Sequence, residues 1–314
     1  MSLAVFFLSI APAFLVLTLI FINQQRFFEK DLGLYLLKLL ICCLITMQLA
    51  LRANMILFNE TELDFKVLDE KNQFYAAFAG IGFNEEMAKL IPILFLLYFS
   101  NRWKNRQDVF FSCVFVGAFF AAFENLFVPQ YNSLLGSLLI RSLIAVPAHL
   151  SFGCIMAYFV YMLLKCSDKA ELTSQKMRTG AISWFLQMVL FGKLANFYYK
   201  FDSSNSTYLE YFFKGGIGLF IFLLIFELIL LVFSFKKFKW LLNWNLRLSY
   251  ALLALIIPAC LHGLHDWGCT RFTGTQLLNF YLCLLFTYLS IIFGTYFLLN
   301  KQAQVNLNHV TGNS

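Results

Sequence analysis

The stretch EEMAK, from Glu85 to Lys89, places three charged residues in the middle of an apolar segment that runs from Phe74 to Phe99. A charge at the centre of a membrane-spanning helix costs roughly 2.5 to 3.5 kcal/mol of insertion free energy, so such residues usually serve a function. In a helix, spacings of three and four residues bring Glu85, Glu86 and Lys89 to one face. Carboxylates in this position can take a proton from water or bind a metal ion.

Ionisable side chains also interrupt three other apolar segments. Glu124 lies within FFAAFENLFVP, His149 within RSLIAVPAHLSFG, and His262 and Asp266 within PACLHGLHDWG. Four residues separate His262 from Asp266, so a helix brings them to the same face. Jointly, these groups cost too much in a bilayer to be explained by packing alone. We therefore predict that they face one polar pocket, filled with water or with a metal ion.

Other polar residues have simpler interpretations. Arg141 is expected to extend its side chain toward the membrane surface, and we assign Glu227 no role beyond a structural one. His265, on the face of His262, could merely line the pocket. Taken alone, Glu85 and Lys89 would be explained equally well as an intrahelical ion pair, and it is their occurrence with the other groups that favours a functional site.

The composition is that of a polytopic membrane protein. Of the 314 residues, 60% are hydrophobic and 13% are charged, against about 25% charged in soluble domains. The net charge of +7 is concentrated in short loops between apolar segments, so we predict a lipid environment and no nucleic-acid partner. Most of the eight cysteines lie singly in apolar runs without a CxxC pair, which indicates neither a disulfide framework nor a thiolate zinc site.

The hydropathy pattern predicts an all-α bundle of about nine membrane helices, eight or nine, in a single integral membrane domain over residues 1–300. Spans 3, 4, 5 and 8 carry the ionisable residues, which gives a motif-bearing core over about 74–268. Residues 301–314 form a polar tail that we predict to be disordered. The predicted spans are 3–22, 37–58, 74–100, 109–128, 138–164, 180–198, 214–235, 248–267 and 277–299.

Basic loops alternate with loops that lack an excess of Lys and Arg along the whole chain. The basic ones are 23–33, 101–108, 165–178 and 236–247. The positive-inside rule assigns these to the cytoplasm, with the N-terminus outside and the C-terminus inside. At about 1.5 Å per helical residue, the ionisable side chains then lie in the outer half of the bilayer or near its midplane.

Four motifs together resemble the PrsW-type intramembrane proteases, a family within the CAAX-prenyl-protease-like membrane proteins. EEMAK matches the family's EExxK, FFAAFEN its FxxxEN, RSLIAVPAHLSFG its Arg…His…Gly stretch and HGLHD its HxxxD. The motifs occur in the family's order, each on its own span. Two positions depart from the pattern, His265, where an aromatic residue is more usual, and Ala157, where a second glycine is expected.

The resemblance implies an intramembrane endopeptidase that activates water in a Glu/His pocket. It implies catalytic roles for Glu85 as base and for Glu86, Glu124, His149 and His262. Lys89 would keep the carboxylates ionised, Asn125 would hydrogen-bond a substrate backbone, and Asp266 would either orient a neighbour or add a metal ligand. Compared with the CAAX-type relatives, Glu124 replaces a histidine and Asp266 an asparagine, and an ionised aspartate cannot donate to an oxyanion.

These replacements enrich the pocket in metal-ligand types. Two histidines, one carboxylate and a water are a common catalytic zinc set. One hypothesis therefore has zinc bound by His149, His262 and either Glu86 or Glu124, and the other uses a metal-free Glu/His pair.

The expected substrate is a single-span membrane protein. Two other functions remain open from the sequence alone. A metal-dependent lipid amidase of the alkaline-ceramidase kind also uses histidines and aspartates in its spans. A proton- or cation-coupled transporter places such groups at mid-membrane, but the sequence shows no inverted repeat.

Overall fold

The computed structural model describes residues 32–59, 77–100, 106–127, 134–165 and 239–311, with isolated positions between 11 and 18, at 73, and between 225 and 229. Regular secondary structure in this part of the chain is entirely helical, as predicted. The elements are α1 (Leu32–Asn59), a π-helix (Ala77–Gly82) leading into α2 (Phe83–Phe99), α3 (Arg106–Phe127), α4 (Leu134–Lys165), α5 (Lys239–Arg271) and α6 (Gly274–Thr311).

Five of the described helices are long and apolar enough to cross a membrane, over Gly33–Met55, Arg106–Leu126, Ser142–Leu164, Leu246–Arg271 and Gly274–Phe297. Helices suit a bilayer because every backbone polar group in the segment is satisfied internally. These five correspond to predicted spans 2, 4, 5, 8 and 9. Predicted spans 1, 6 and 7 fall almost entirely outside the described residues, and the total of nine stays a prediction.

The third predicted span is helical from Ala77, but the helix type changes from π to α before the charged residues. The π-helix Ala77–Gly82 has one extra residue per hydrogen-bonded turn, and α2 begins at Phe83. Such π-turns are rare and occur frequently at functional sites. Glu85 and Glu86 therefore lie in the first turn of the regular helix.

The last helix is longer than its apolar run. We predicted a disordered tail from residue 301, whereas α6 continues to Thr311. Between Gly294 and Gly312 the chain has no glycine or proline, and it contains good helix formers such as Leu, Gln, Lys and Ala. The end of the hydrophobic segment near residue 299 thus marks the end of a span and not the end of the helix.

The chain divides into two compact units. The first unit comprises Met1–Met47, Lys89–Tyr158 and Gly268–Ser314, and the second comprises Gln48–Ala88 and Phe159–Trp267. The boundaries fall inside α1, α2, α4 and α5.

In the first unit, α3 and α4 pack with their backbones in direct contact. A Cβ atom added at Gly117 would lie 2.5 Å from the backbone oxygen of His149, and one at Gly153 would lie 2.7 Å from that of Cys113. Small residues allow this close approach between membrane helices, where packing rather than the hydrophobic effect drives association. Phe152 extends the core by packing its ring edge-on against Tyr288, with 5.7 Å between centroids.

In the second unit, the π-helix packs against α5 in the same manner. A Cβ atom at Gly82 would lie 2.5 Å from the backbone oxygen of Ala259, and one at Gly263 would lie 2.5 Å from Cα of Phe78. The other part of this unit has an apolar core in which Leu246, Tyr250 and Leu253 are buried against Phe159 and its neighbours. The two glycines therefore fix the register between the EEMAK segment and the HGLHD segment.

Candidate active site

The glycine contact in the second unit brings a carboxylate to an imidazole. Glu86 lies one turn beyond Gly82 on α2, and His262 directly precedes Gly263 on α5. His262 Nδ1 lies 2.9 Å from Glu86 Oε1, and both side chains are buried, with relative exposures of 2% and 0%. The contact joins residues 176 positions apart, so only the packing of the two helices creates it.

Two more carboxylates approach the other nitrogen of the same ring. His262 Nε2 lies 3.5 Å from Glu85 Oε2 and 3.5 Å from Asp266 Oδ2. We call Glu85, Glu86, His262 and Asp266 the carboxylate cluster. Three carboxylates around one imidazole favour a cation at this place, either a protonated ring or a metal ion.

Asn54 on α1 is a member of this site that the sequence analysis missed. Its Nδ2 donates a hydrogen bond to Glu85 Oε1 at 3.0 Å. In this bond Oε1 of Glu85 is the acceptor. The other carboxylate oxygen, Oε2, is directed toward His262. The sequence feature that could have indicated Asn54 is its polar amide within the largely apolar stretch ALRANMIL.

A second cluster, in the first unit, comprises Lys89, Glu124 and His149. Lys89 Nζ lies 2.8 Å from His149 Nδ1, and His149 Nε2 lies 2.9 Å from Glu124 Oε2. A lysine ammonium can only donate, so Nδ1 accepts and Nε2 carries the proton that is donated to Glu124. We call these three residues the lysine–histidine cluster.

Aromatic rings enclose the lysine–histidine cluster. Lys89 Nζ lies 4.1 Å from the ring centroid of Phe120, a cation–π distance. The rings of Phe120 and Phe152 lie 5.4 and 5.6 Å from that of His149. Lys89 and His149 are each only 2% exposed, whereas the Glu124 side chain is 30% exposed.

The predicted site residues thus fall into two groups. The structure joins Glu85, Glu86, His262 and Asp266 in one unit and Lys89, Glu124 and His149 in the other. Asn125 is buried on α3, and His265 is half-buried on α5. The side chain of Arg141 and the whole of Glu227 lie outside the described residues.

Side chains of the ligand types that bind zinc are buried in both units, namely Glu86 and His262 in the second and His149 in the first. One carboxylate oxygen and two imidazole nitrogens suit zinc and leave a coordination position for water or substrate. The ring of His149 also donates its N–H to a carboxylate, Glu124, which is the usual arrangement behind a metal-binding histidine. The donor set therefore fits a zinc ion.

Comparison with known proteins gives one match. A family profile described as PrsW family intramembrane metalloprotease matches residues 31–232. This range covers more than half of the chain and includes EEMAK, FFAAFEN and RSLIAVPAHLSFG, but it ends before HGLHD. No curated protein and no solved structure matches the chain.

Proposed function

Because this chain belongs to the PrsW family of intramembrane metalloproteases, we propose that it hydrolyses a peptide bond of a single-span membrane protein inside the bilayer. The observation that carries this proposal is His262, buried between Glu85, Glu86 and Asp266. Ionisable side chains inside a bilayer are costly, and they usually mark a functional site.

The base in this reaction is Glu85. Asn54 holds its Oε1, and its Oε2 is directed toward the ring of His262. In the proposed reaction this carboxylate takes a proton from the attacking water and then delivers it to the leaving amide nitrogen as the C–N bond breaks. The water oxygen forms the new bond to the carbonyl carbon.

The residues that would hold zinc are Glu86, His149 and His262. A zinc ion bound there supplies Lewis-acid polarisation of the scissile carbonyl. Glu124 orients His149 through Nε2, and Asp266 orients His262 from one turn further along α5. Assignment of Glu86 as the ligand and Glu124 as the orienting group is supported by burial, because Glu86 is fully buried and the Glu124 side chain is 30% exposed.

The proposal keeps the expectation from the sequence that these ionisable residues face one pocket. It is supported by the helix that carries members of both clusters, since Glu86 and Lys89 are three residues apart on α2. A rise of about 1.5 Å per residue separates them by about one turn along the same face. With the predicted topology, the site lies in the outer half of the membrane or near its midplane, and the substrate is cut near its outer boundary.

The decisive experiment compares native membranes that contain the wild-type protein with membranes that contain Glu85→Gln/Glu86→Gln at matched abundance. We expect new peptide termini next to single spans in the wild type and their loss in the double variant. Glu62→Gln, in the predicted outer loop, is the matched control and should retain them. Absence of such termini from the wild type would overturn the protease proposal, and lipid products would be measured next.

A chelator arm of the same experiment separates the two catalytic hypotheses. If zinc takes part, a membrane-permeable chelator abolishes the termini and added Zn²⁺ restores them. Cleavage that survives complete metal removal would reject the zinc version and leave a metal-free Glu/His pair.

A further inference from the structure

Lys89 approaches the ring nitrogen of His149 that carries the lone pair. Its Nζ is 2.8 Å from Nδ1, and in the neutral imidazole Nδ1 carries the only ring lone pair, because Nε2 carries the proton donated to Glu124. A metal ion also needs a ring lone pair. A metal ion and the Lys89 ammonium therefore compete for one acceptor.

The alternative nitrogen is already committed. His149 Nε2 lies 2.9 Å from Glu124 Oε2, and this N–H···carboxylate bond is the one that a metal-binding histidine keeps on its outer side. A metal ion that bound through Nε2 would have to displace this carboxylate and its proton. Coordination through Nδ1 preserves that bond and displaces Lys89 instead.

An aromatic contact, strengthened by burial, also stabilises the ammonium group of Lys89 at this position. It lies 4.1 Å from the ring centroid of Phe120, and Lys89 is 2% exposed. Cation–π contacts strengthen when the cation is desolvated. The Lys89 ammonium thus contacts both the imidazole of His149 and the ring of Phe120.

We propose that Lys89 is a placeholder cation, which occupies the metal position on His149 Nδ1 and is displaced when zinc binds. The inference rests on the zinc-dependent form of the proposed function. It gives the lysine of the EEMAK motif a specific task, namely to keep a positive charge at His149 Nδ1 before metal arrives. It also makes zinc affinity weaker than the ligand set alone would give.

The test measures Zn²⁺ affinity of the purified full-length protein in detergent micelles, by competition with a chromophoric chelator and without any substrate. Lys89→Met removes the competing cation, and we expect binding to become about 10- to 100-fold tighter, the range for loss of a charge-assisted hydrogen bond. Lys89→Arg keeps a cation and should bind no more tightly than the wild type. Phe120→Leu weakens the hold on the ammonium and should tighten binding by about two- to tenfold.

His149→Ala completes a double-mutant cycle that distinguishes competition from a general charge effect. If Lys89 competes for Nδ1, its replacement by methionine gains nothing when His149 is absent. A gain that persists in Lys89→Met/His149→Ala would overturn the proposal, as would equal or weaker binding in Lys89→Met. The Phe120→Leu result decides the question independently if Lys89→Met does not fold, since unchanged affinity there contradicts the placeholder role.

The same assay distinguishes failure of the proposed zinc site from failure of the placeholder role alone. If neither the wild type nor any variant binds Zn²⁺, the zinc version and the placeholder role fall together, while protease activity is judged by the peptide termini. If the wild type binds zinc and the Lys89 variants do not bind more tightly, the metal site stands and only the placeholder role is rejected.

Discussion

At the scale of single residues, each of the two clusters arranges charged groups around one imidazole. His262 faces carboxylates through both ring nitrogens, whereas His149 has a carboxylate on one nitrogen and an ammonium on the other. The first environment favours a cation and the second already contains one. This difference suggests that the two histidines, which look alike in the sequence, have different tasks before any ligand binds.

Asn54 offers a sharp test at this scale, because its contact with the site is through one hydrogen bond. In Asn54→Leu, a side chain of similar size, Glu85 loses the donor to Oε1. Hydrogen bonds to charged groups contribute about 1.5 to 3 kcal/mol, so we expect turnover of a model single-span substrate to fall about 10- to 100-fold. The effect should appear mainly in kcat, since in the proposed reaction Glu85 acts on the attacking water.

Gln48→Leu is the control, as it makes the same kind of change at an exposed position of α1. It should leave kcat within about twofold, because surface substitutions away from special features rarely exceed about 0.5 kcal/mol. Equal losses in the two variants would show that α1 tolerates neither change, and Asn54 would then have no specific link to Glu85.

At the scale of elements, pairs of glycines determine which side chains meet. Gly82 and Gly263 bring the π-helix to α5, and Gly117 and Gly153 bring α3 to α4. In each case a site residue follows within two turns of the contact. Helix packing at glycine is tight enough that a single methyl group changes the helix separation.

Gly263→Ala tests this coupling. The added Cβ would lie 2.5 Å from Cα of Phe78, so α5 has to move away from the π-helix. We expect loss of stability of about 1 to 3 kcal/mol. We also expect cleavage to fall by more than tenfold, because a displacement of about 1 Å at a catalytic group costs on that order.

Gly294→Ala is the matched substitution in α6, where the added Cβ has nothing within 4 Å. It should leave both thermal stability and cleavage close to the wild-type values. If Gly263→Ala cleaved substrate as well as Gly294→Ala does, the close packing at Gly263 would not be required to form the carboxylate cluster.

At the scale of the whole molecule, orientation in the membrane decides which side of a substrate the site can reach. Described helices alone account for five spans. Hydropathy predicts nine, and charge alternation across the loops places the termini on opposite sides. A reporter fused after Ser314 that fluoresces only in the cytoplasm should be bright. A phosphatase reporter active only outside should be active when inserted between residues 60 and 72.

An N-terminal tag that is accessible from outside completes this test. If the N- and C-termini of the protein lay on the same side of the membrane, the number of spans would be even, and the prediction of nine would be wrong. A cytoplasmic 60–72 reporter would reverse the site's depth and move the expected cut toward the inner boundary of the substrate.

The sequence by itself determined the class of the protein and most of the residues at the site. Hydropathy is a sum over neighbours in the chain, so apolar runs predict membrane helices without knowledge of their packing. Spacings of three and four residues likewise place Glu85, Glu86 and Lys89 on one face, because the helix period is fixed by local backbone geometry. The ordered motifs then indicated the protease family.

Only the tertiary structure decided which partner each of these residues has. Helix rotation and separation depend on contacts such as those of Gly82 with α5, and no local pattern encodes them. For this reason the sequence left Glu86 and Glu124 as equal candidates, whereas packing buries Glu86 against His262 and places Glu124 within hydrogen-bond distance of His149. Packing also places Asn54 of α1 against Glu85, a contact that no motif indicated.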